Sequence, residues 1–130
     1  MKKYFFILIS FLALIASSNN VKQNNSNLNT QDFEAKIKTL PNAPIIDVRT
    51  PDEFSNGHLQ NAINIDWNGN NFQSQISNFD KASPIFVYCL SGGRSASAAE
   101  AMRNEGFKEV YELDGGLIKW PAAISAKTNK

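Results

Sequence analysis

Cys89 is the only cysteine in this chain of 130 residues, and it heads the run Val87-Tyr88-Cys89-Leu90-Ser91-Gly92-Gly93-Arg94-Ser95. The residues before it, Pro84-Ile85-Phe86-Val87-Tyr88, are apolar, β-branched and aromatic, and they read as a short buried strand. Those after Arg94 read as a helix. A thiol is thereby placed where a strand ends, on a small Gly-rich loop that feeds a helix N-terminus. Backbone N–H groups of such a loop point inward and cradle an anion, and the helix dipole reinforces them. The same field favours the thiolate over the thiol, so Cys89 is expected to be more thiolate-like than a free cysteine. The chemistry predicted here is nucleophilic, with an anion receptor built into the same loop.

The elements that position this loop follow from periodicity. Phe33, Ile37 and Leu40 fall at i, i+4 and i+7, which predicts an amphipathic helix over Thr30 to Leu40, ended by Pro41. Pro44 to Val48 reads as an apolar strand, and Arg49 to Leu59 as a turn with a short helix. Ala62 to Ile65 is another strand. Phe72, Ile76 and Phe79 predict a helix over Asn71 to Asp80. The strand before Cys89 covers Ile85 to Tyr88. Ser95 to Glu105 is a helix closed by Gly106, and its small face (Ser95, Ala98, Ala99, Met102) lets it lie close to a sheet. Glu109 to Leu113 is the last strand, followed by Gly115-Gly116 and a short helix near Leu117 to Trp120. Alternation of this kind implies an α/β domain whose mostly parallel sheet is covered on both faces. Ligands of such sheets bind beyond the carboxyl ends of the strands, which is where Cys89 lies.

The ends of the chain read differently. Lys2 and Lys3, the apolar stretch Tyr4 to Ala16 and the small residues Ala16-Ser17-Ser18 form the pattern of a signal peptide over residues 1–18. The stretch is shorter than the roughly 20 residues of a membrane span. Residues 19–29 are polar and Asn-rich and read as a flexible tether. The domain proper is assigned to residues 30–125, a single core. The chain carries 13 basic and 12 acidic residues, and it has no basic run, which argues against a nucleic-acid partner. Export as a periplasmic or secreted protein is expected, with no membrane association after cleavage. An exported domain with one thiol has no internal disulfide, so its position in a Gly-rich turn favours use of the thiol.

Four motifs stand in order along the chain: Asp47-Val48-Arg49-Thr50-Pro51-Asp52-Glu53-Phe54; Gly57-His58-Leu59 with Ala62-Ile63-Asn64-Ile65; Val87-Tyr88-Cys89 through Arg94-Ser95; and Gly115-Gly116 with Trp120. Together they resemble a single-domain rhodanese. The resemblance spans Phe33 to Trp120. It implies a rhodanese-like three-layer α/β/α fold and a sulfurtransferase in which Cys89 carries a persulfide from a donor such as thiosulfate to cyanide or a thiol. A protein sulfur partner is a further expectation. No metal or other cofactor is required by a thiolate that attacks a sulfane sulfur and stores it. Leu90, Ser91, Gly92, Gly93, Arg94 and Ser95 are the expected substrate-binding residues, through backbone N–H groups and, for Ser91 and Ser95, hydroxyls. Ser95 is also a candidate helix cap, and Gly92 and Gly93 are expected in backbone conformations that other residues resist. Arg94 either faces the substrate anion or pairs outward, and the substrate role is the one favoured.

Two alternatives are set beside this reading. A binding or sulfur-relay module would keep the fold and the cysteine without turnover. Cysteine phosphatases and arsenate reductases have a related layout, but phosphatases place their arginine six residues after the cysteine, whereas Arg94 follows Cys89 by five, and the tighter ring suits sulfur better. The chain departs from the family pattern at Leu59-Gln60-Asn61-Ala62, where a Pro-Gly turn is usual. It also carries only one cation in the loop, beside an apolar Leu90, so modest turnover with thiosulfate is expected, and an alkyl persulfide or a protein is an alternative donor. Asp47 and Arg49 are candidate pocket residues. The favoured alternative makes them structural, with Asp47 holding loop backbone and Arg49 pairing with Glu53 or Asp52. His58 is read as a hydrogen-bonded structural residue and Trp67 as packing. Trp120 packs as well, or walls the pocket.

Overall fold

The computed structural model describes residues 26–125. The signal-peptide reading, and the tether reading up to residue 25, lie outside the described residues. In chain order the elements are β1 (Asn27–Leu28), α1 (Thr30–Thr39), β2 (Ile45–Asp47), α2 (Pro51–Ser55), β3 (Ala62–Asn64), α3 (Phe72–Ile76), β4 (Ile85–Tyr88), α4 (Gly93–Asn104), β5 (Val110–Leu113), a 3-10 turn (Leu117–Lys119) and α5 (Ala122–Ser125). The strands form one sheet in the order β1-β5-β4-β2-β3, and every pairing in it is parallel.

Period-two alternation along β4 divides the core into two layers. Phe86 and Tyr88 join Phe33, Ile45, Leu113 and Leu117 on one face of the sheet. Ile85, Val87 and Cys89 join Ala98, Ala99 and Met102 on the other. The first face is covered by α1, whose buried Phe33 meets Phe86 edge-on at 5.3 Å. The second is covered by α3 and α4, and the small α4 face (Ser95, Ala98, Ala99, Met102) is the buried one, as its composition predicts. This is the three-layer arrangement, with the thiol on the α4 side.

Local chemistry sets most of the element boundaries. The Asn29 side chain accepts from the Asp32 N–H at 2.8 Å and starts α1. Thr50 and Glu53 form a reciprocal capping box that starts α2, with Pro51 in the first turn. Two expectations need adjustment. The helix predicted over Asn71 to Asp80 is α-helical only over Phe72–Ile76, because the bonds at Asn78 and Phe79 shorten to i−3 carbonyls. Asp80 then turns its carboxylate onto the Ala82 N–H and the Ser83 hydroxyl, and so ends the segment. The last residues of the stretch read as tether are not all tether. Asn27–Leu28 add an edge strand to β5, held by Glu112 N–H to Ser26 O at 2.6 Å and Asp114 N–H to Leu28 O at 2.8 Å. The departure from a Pro-Gly turn is absorbed by Asn61, which takes φ 63°, a conformation that asparagine tolerates better than most residues.

Candidate active site

The thiol is built by three neighbouring pieces of backbone. β4 ends at Tyr88, and Cys89, fully buried, follows on the α4 face. Gly92 then turns the chain at φ 101° to cap α4. A Cβ there would be strained, and it would also stand 3.3 Å from the Gly115 nitrogen. The turn aims two backbone N–H groups at sulfur: Gly92 at 3.1 Å and Ser95 at 3.4 Å. The Ser95 hydroxyl lies 3.3 Å from Sγ and donates to the Gly92 carbonyl at 3.2 Å. Of the two roles read for Ser95, the helix cap falls to Gly92 instead. α4 starts two residues earlier, and Ser95 stands in its first turn facing the sulfur.

The other loop residues fall into distinct places. Leu90 is 40 % exposed. Ser91 is exposed too, and among the described residues its hydroxyl makes no hydrogen bond to the sulfur. Gly93 has an ordinary helical backbone with nothing within 4 Å of a built Cβ, so its expected special conformation is not found. The third piece of backbone comes from the turn after β5. Leu117 N–H donates to Cys89 O at 3.0 Å and Ile118 N–H to Leu90 O at 2.9 Å. Gly116, at φ 66°, approaches so closely that a Cβ would collide with the Leu90 and Cys89 carbonyl groups. Trp120 packs in the layer with Leu117 and Phe33, the face opposite to the thiol.

Arg94 pairs across to α2: Nη1 donates to Glu53 Oε1 at 2.7 Å and Nη2 to Oε2 at 2.9 Å. This two-pronged bond is the main reason that the Glu53 carboxyl is pushed down to about 2; partial burial opposes it, and the Thr50 N–H assists it. The same bond raises Arg94. Of the two roles weighed for Arg94, its guanidinium adopts the pairing one, and through it the α4 N-terminus is tied to α2. Glu53 as that partner was not anticipated, although Thr50-x-x-Glu53 is a capping-box spacing readable in the sequence.

Asp47 and Arg49 pair with each other, and neither Glu53 nor Asp52 serves as the partner of Arg49. Arg49 Nη2 lies 2.7 Å from Asp47 Oδ2, its Nε donates to Oδ1 at 3.0 Å, and Nη2 also donates to Gly57 O at 2.7 Å. Tyr88 Oη donates to Asp47 Oδ2 at 2.6 Å and accepts from the Leu59 N–H at 3.0 Å. Burial first, and then the neighbouring Asp47 charge, raise the Tyr88 phenol well above its ordinary value. Tyr88 alternates with Cys89 along the chain and so faces the other layer; the Asp47 cluster braces the strand end from behind. His58 is held by a hydrogen bond to Phe54 O at 2.9 Å and by stacking on Phe54 at 3.7 Å. Trp67 packs edge-on against Phe72.

Comparison with known proteins agrees with this geometry. The family model described as the rhodanese-like domain matches residues 29–123. YqhL of Bacillus subtilis, described only as uncharacterized, is 35 % identical over 125 residues, covering 93 % of this chain and 95 % of that protein. The thiosulfate sulfurtransferase GlpE of Ectopseudomonas mendocina is 35 % identical over 86 residues, covering 66 % of this chain and 77 % of GlpE. Among solved structures, a rhodanese-related protein from Thermoplasma volcanium superposes with a TM-score of 0.64 at 27 % identity, covering 74 % of this chain and 90 % of that one.

Proposed function

The chain belongs to the rhodanese-like domain family, and from that footing we propose that it is a sulfurtransferase that carries sulfane sulfur as a Cys89 persulfide. The observation that carries the reading is the pair of N–H groups of Gly92 and Ser95, aimed at Cys89 Sγ from 3.1 and 3.4 Å. The sulfur anion attacks the outer sulfur of a donor such as thiosulfate. A bond forms between Sγ and that sulfur, and the S–S bond of the donor breaks with its electron pair leaving on sulfite. The terminal sulfur of the persulfide keeps a negative charge that loop N–H groups stabilise. The Ser95 hydroxyl, turning from the Gly92 carbonyl, adds a donor. A thiol or cyanide then takes the terminal sulfur, and Cys89 leaves as the thiolate in a two-step cycle.

Support also comes from the GlpE relatives, which bear the name thiosulfate sulfurtransferase. The test is intact-mass measurement of the purified domain before and after thiosulfate or another sulfane donor. A gain of one sulfur atom that cyanide reverses, and that Cys89→Ser lacks while remaining folded, is the expected result. An unchanged mass with every donor, together with retained capture of a partner by Cys89→Ser, would instead establish the binding-module reading. We also propose that residues 1–18 direct export and are removed; N-terminal sequencing of the chain from cells tests this, and an intact Met1 in the cytoplasm overturns it.

A further inference from the structure

Resting on that reading, we infer that Glu53 is a positioning residue of the sulfur site. It holds the Arg94 guanidinium beside Cys89 as a neutral pair, and so withholds the attraction of a free cation from anionic reagents. Arg94 immediately precedes Ser95, whose N–H points at Sγ from 3.4 Å. Both of its terminal nitrogens are taken by Glu53, at 2.7 and 2.9 Å. Glu53 is itself fixed, since Oε1 accepts from the Thr50 N–H at 3.3 Å and from the Thr50 hydroxyl at 3.2 Å. The bond to Glu53 is the largest influence raising the guanidinium above its ordinary value, and the Cys89 and Asp66 charges act in the same direction. Cys89 therefore lies within electrostatic reach of Arg94, and the pair is part of the field that an incoming anion meets.

Other charged groups approach the loop from its remaining neighbours. Asp66 stands two residues past β3, and its Oδ1 accepts from the Asn68 N–H at 3.0 Å. Lys119, on the turn after β5, lays its chain over Gly115, whose nitrogen would stand 3.3 Å from a Cβ at Gly92. These two are opposite in sign. The Asp47–Arg49 pair closes on itself at 2.7 Å and bonds to Tyr88, which faces the other layer. With Arg94 matched by Glu53, the run Cys89–Ser95 presents its N–H dipoles to a sulfur anion and no uncompensated cation. The paired side chains are 26 % and 29 % exposed, so water damps their field without abolishing it. On this account the thiosulfate dianion loads Cys89 slowly.

The experiment compares the rates of Cys89 alkylation by iodoacetate and by iodoacetamide at one pH and low salt, followed by intact mass. The two reagents differ in charge and little else, so their rate ratio reads the field at the sulfur and cancels thiolate fraction and access. Glu53→Gln is expected to raise the iodoacetate-to-iodoacetamide ratio about three- to tenfold, as one unit of charge in a partly hydrated site implies. Arg94→Gln should lower it by a similar factor, and E53Q/R94Q should return to within about twofold of wild type. Arg94→Lys keeps the charge and should stay near wild type, and every shift should shrink in high salt. A merely structural pair predicts otherwise, because both single variants break the same ion pair and would move the ratio the same way or not at all. An unchanged or lowered ratio in Glu53→Gln, or shifts of one sign in both single variants, overturns the assignment. If Arg94→Gln does not fold, Glu53→Gln decides alone. A wild type that neither reagent alkylates while folded overturns it as well. Thiosulfate loading is followed in parallel. Opposite ratio shifts without sulfur loading from any donor would leave the charge device standing and overturn the sulfurtransferase reading; loading with an unaltered ratio does the reverse.

Discussion

Glu53 serves two structures at once. Its carboxylate closes the α2 capping box and receives both terminal nitrogens of Arg94. With its folded value held down to about 2 against an ordinary 4.5, it is the unfolded state that takes up the proton between those values. The stabilisation from this group is therefore complete above about pH 4.5 and fades as pH falls towards 2. Urea unfolding of the wild type and of Glu53→Gln should differ clearly at pH 7 and converge as the pH is lowered through this window. A gap that stays constant down to pH 2.5 would show that the carboxylate charge does not contribute. Glu53, Arg94 and the capping residue Thr50 were all visible as types in the sequence, but the Arg94 pairing was not. Any of the chain's 12 acidic residues could have supplied that carboxylate, and only packing brings α2 against the start of α4.

At the scale of elements, the active loop is fixed by a second turn that crosses it. Gly116 lies so close to the Cys89 and Leu90 carbonyls that a methyl group has no room, and its φ is 66° besides. Gly116→Ala should cost about 2–4 kcal/mol in unfolding free energy and lower the rate of Cys89 sulfur loading, because the displaced backbone is that of the loop. Gly93→Ala is its counterpart. With open space around the Cβ position and ordinary helical φ, it should fold with wild-type stability or gain up to about 1 kcal/mol from helix propensity. Equal losses in thermal and urea denaturation for the two variants would contradict this account. Both glycines stand in Gly-Gly pairs, and the sequence alone does not distinguish the member that is indispensable from the one that is not. The difference lies in which neighbour approaches, a long-range matter.

For the molecule as a whole, the Asp47 cluster joins β2, the end of β4 and the segment around Gly57 to Leu59. Asp47 takes hydrogen bonds from Arg49 and Tyr88 with no accessible surface of its own. Asp47→Ala leaves the Arg49 guanidinium buried without a countercharge, which should cost about 3–5 kcal/mol. Tyr88→Phe keeps that countercharge and loses only hydrogen bonds, so it should cost about 1–3 kcal/mol. Chemical denaturation at neutral pH checks the order, and a Tyr88→Phe loss as large as that of Asp47→Ala would reverse it. The choice between pocket and brace for these residues depended on which face of the sheet each side chain took.

Local patterns were enough for the strand–helix alternation, the parallel sheet, the small buried face of α4 and the thiol at the end of β4, because each is written within a few turns or one strand of sequence. Strand β1 was not legible: two residues, Asn27 and Leu28, carry no periodicity, and they become a strand only through the open edge of β5. The tertiary structure likewise decided the partner of Arg94 and the indispensable glycine. Each of these depends on contacts between segments far apart in the chain, and such contacts exist only once the core has closed.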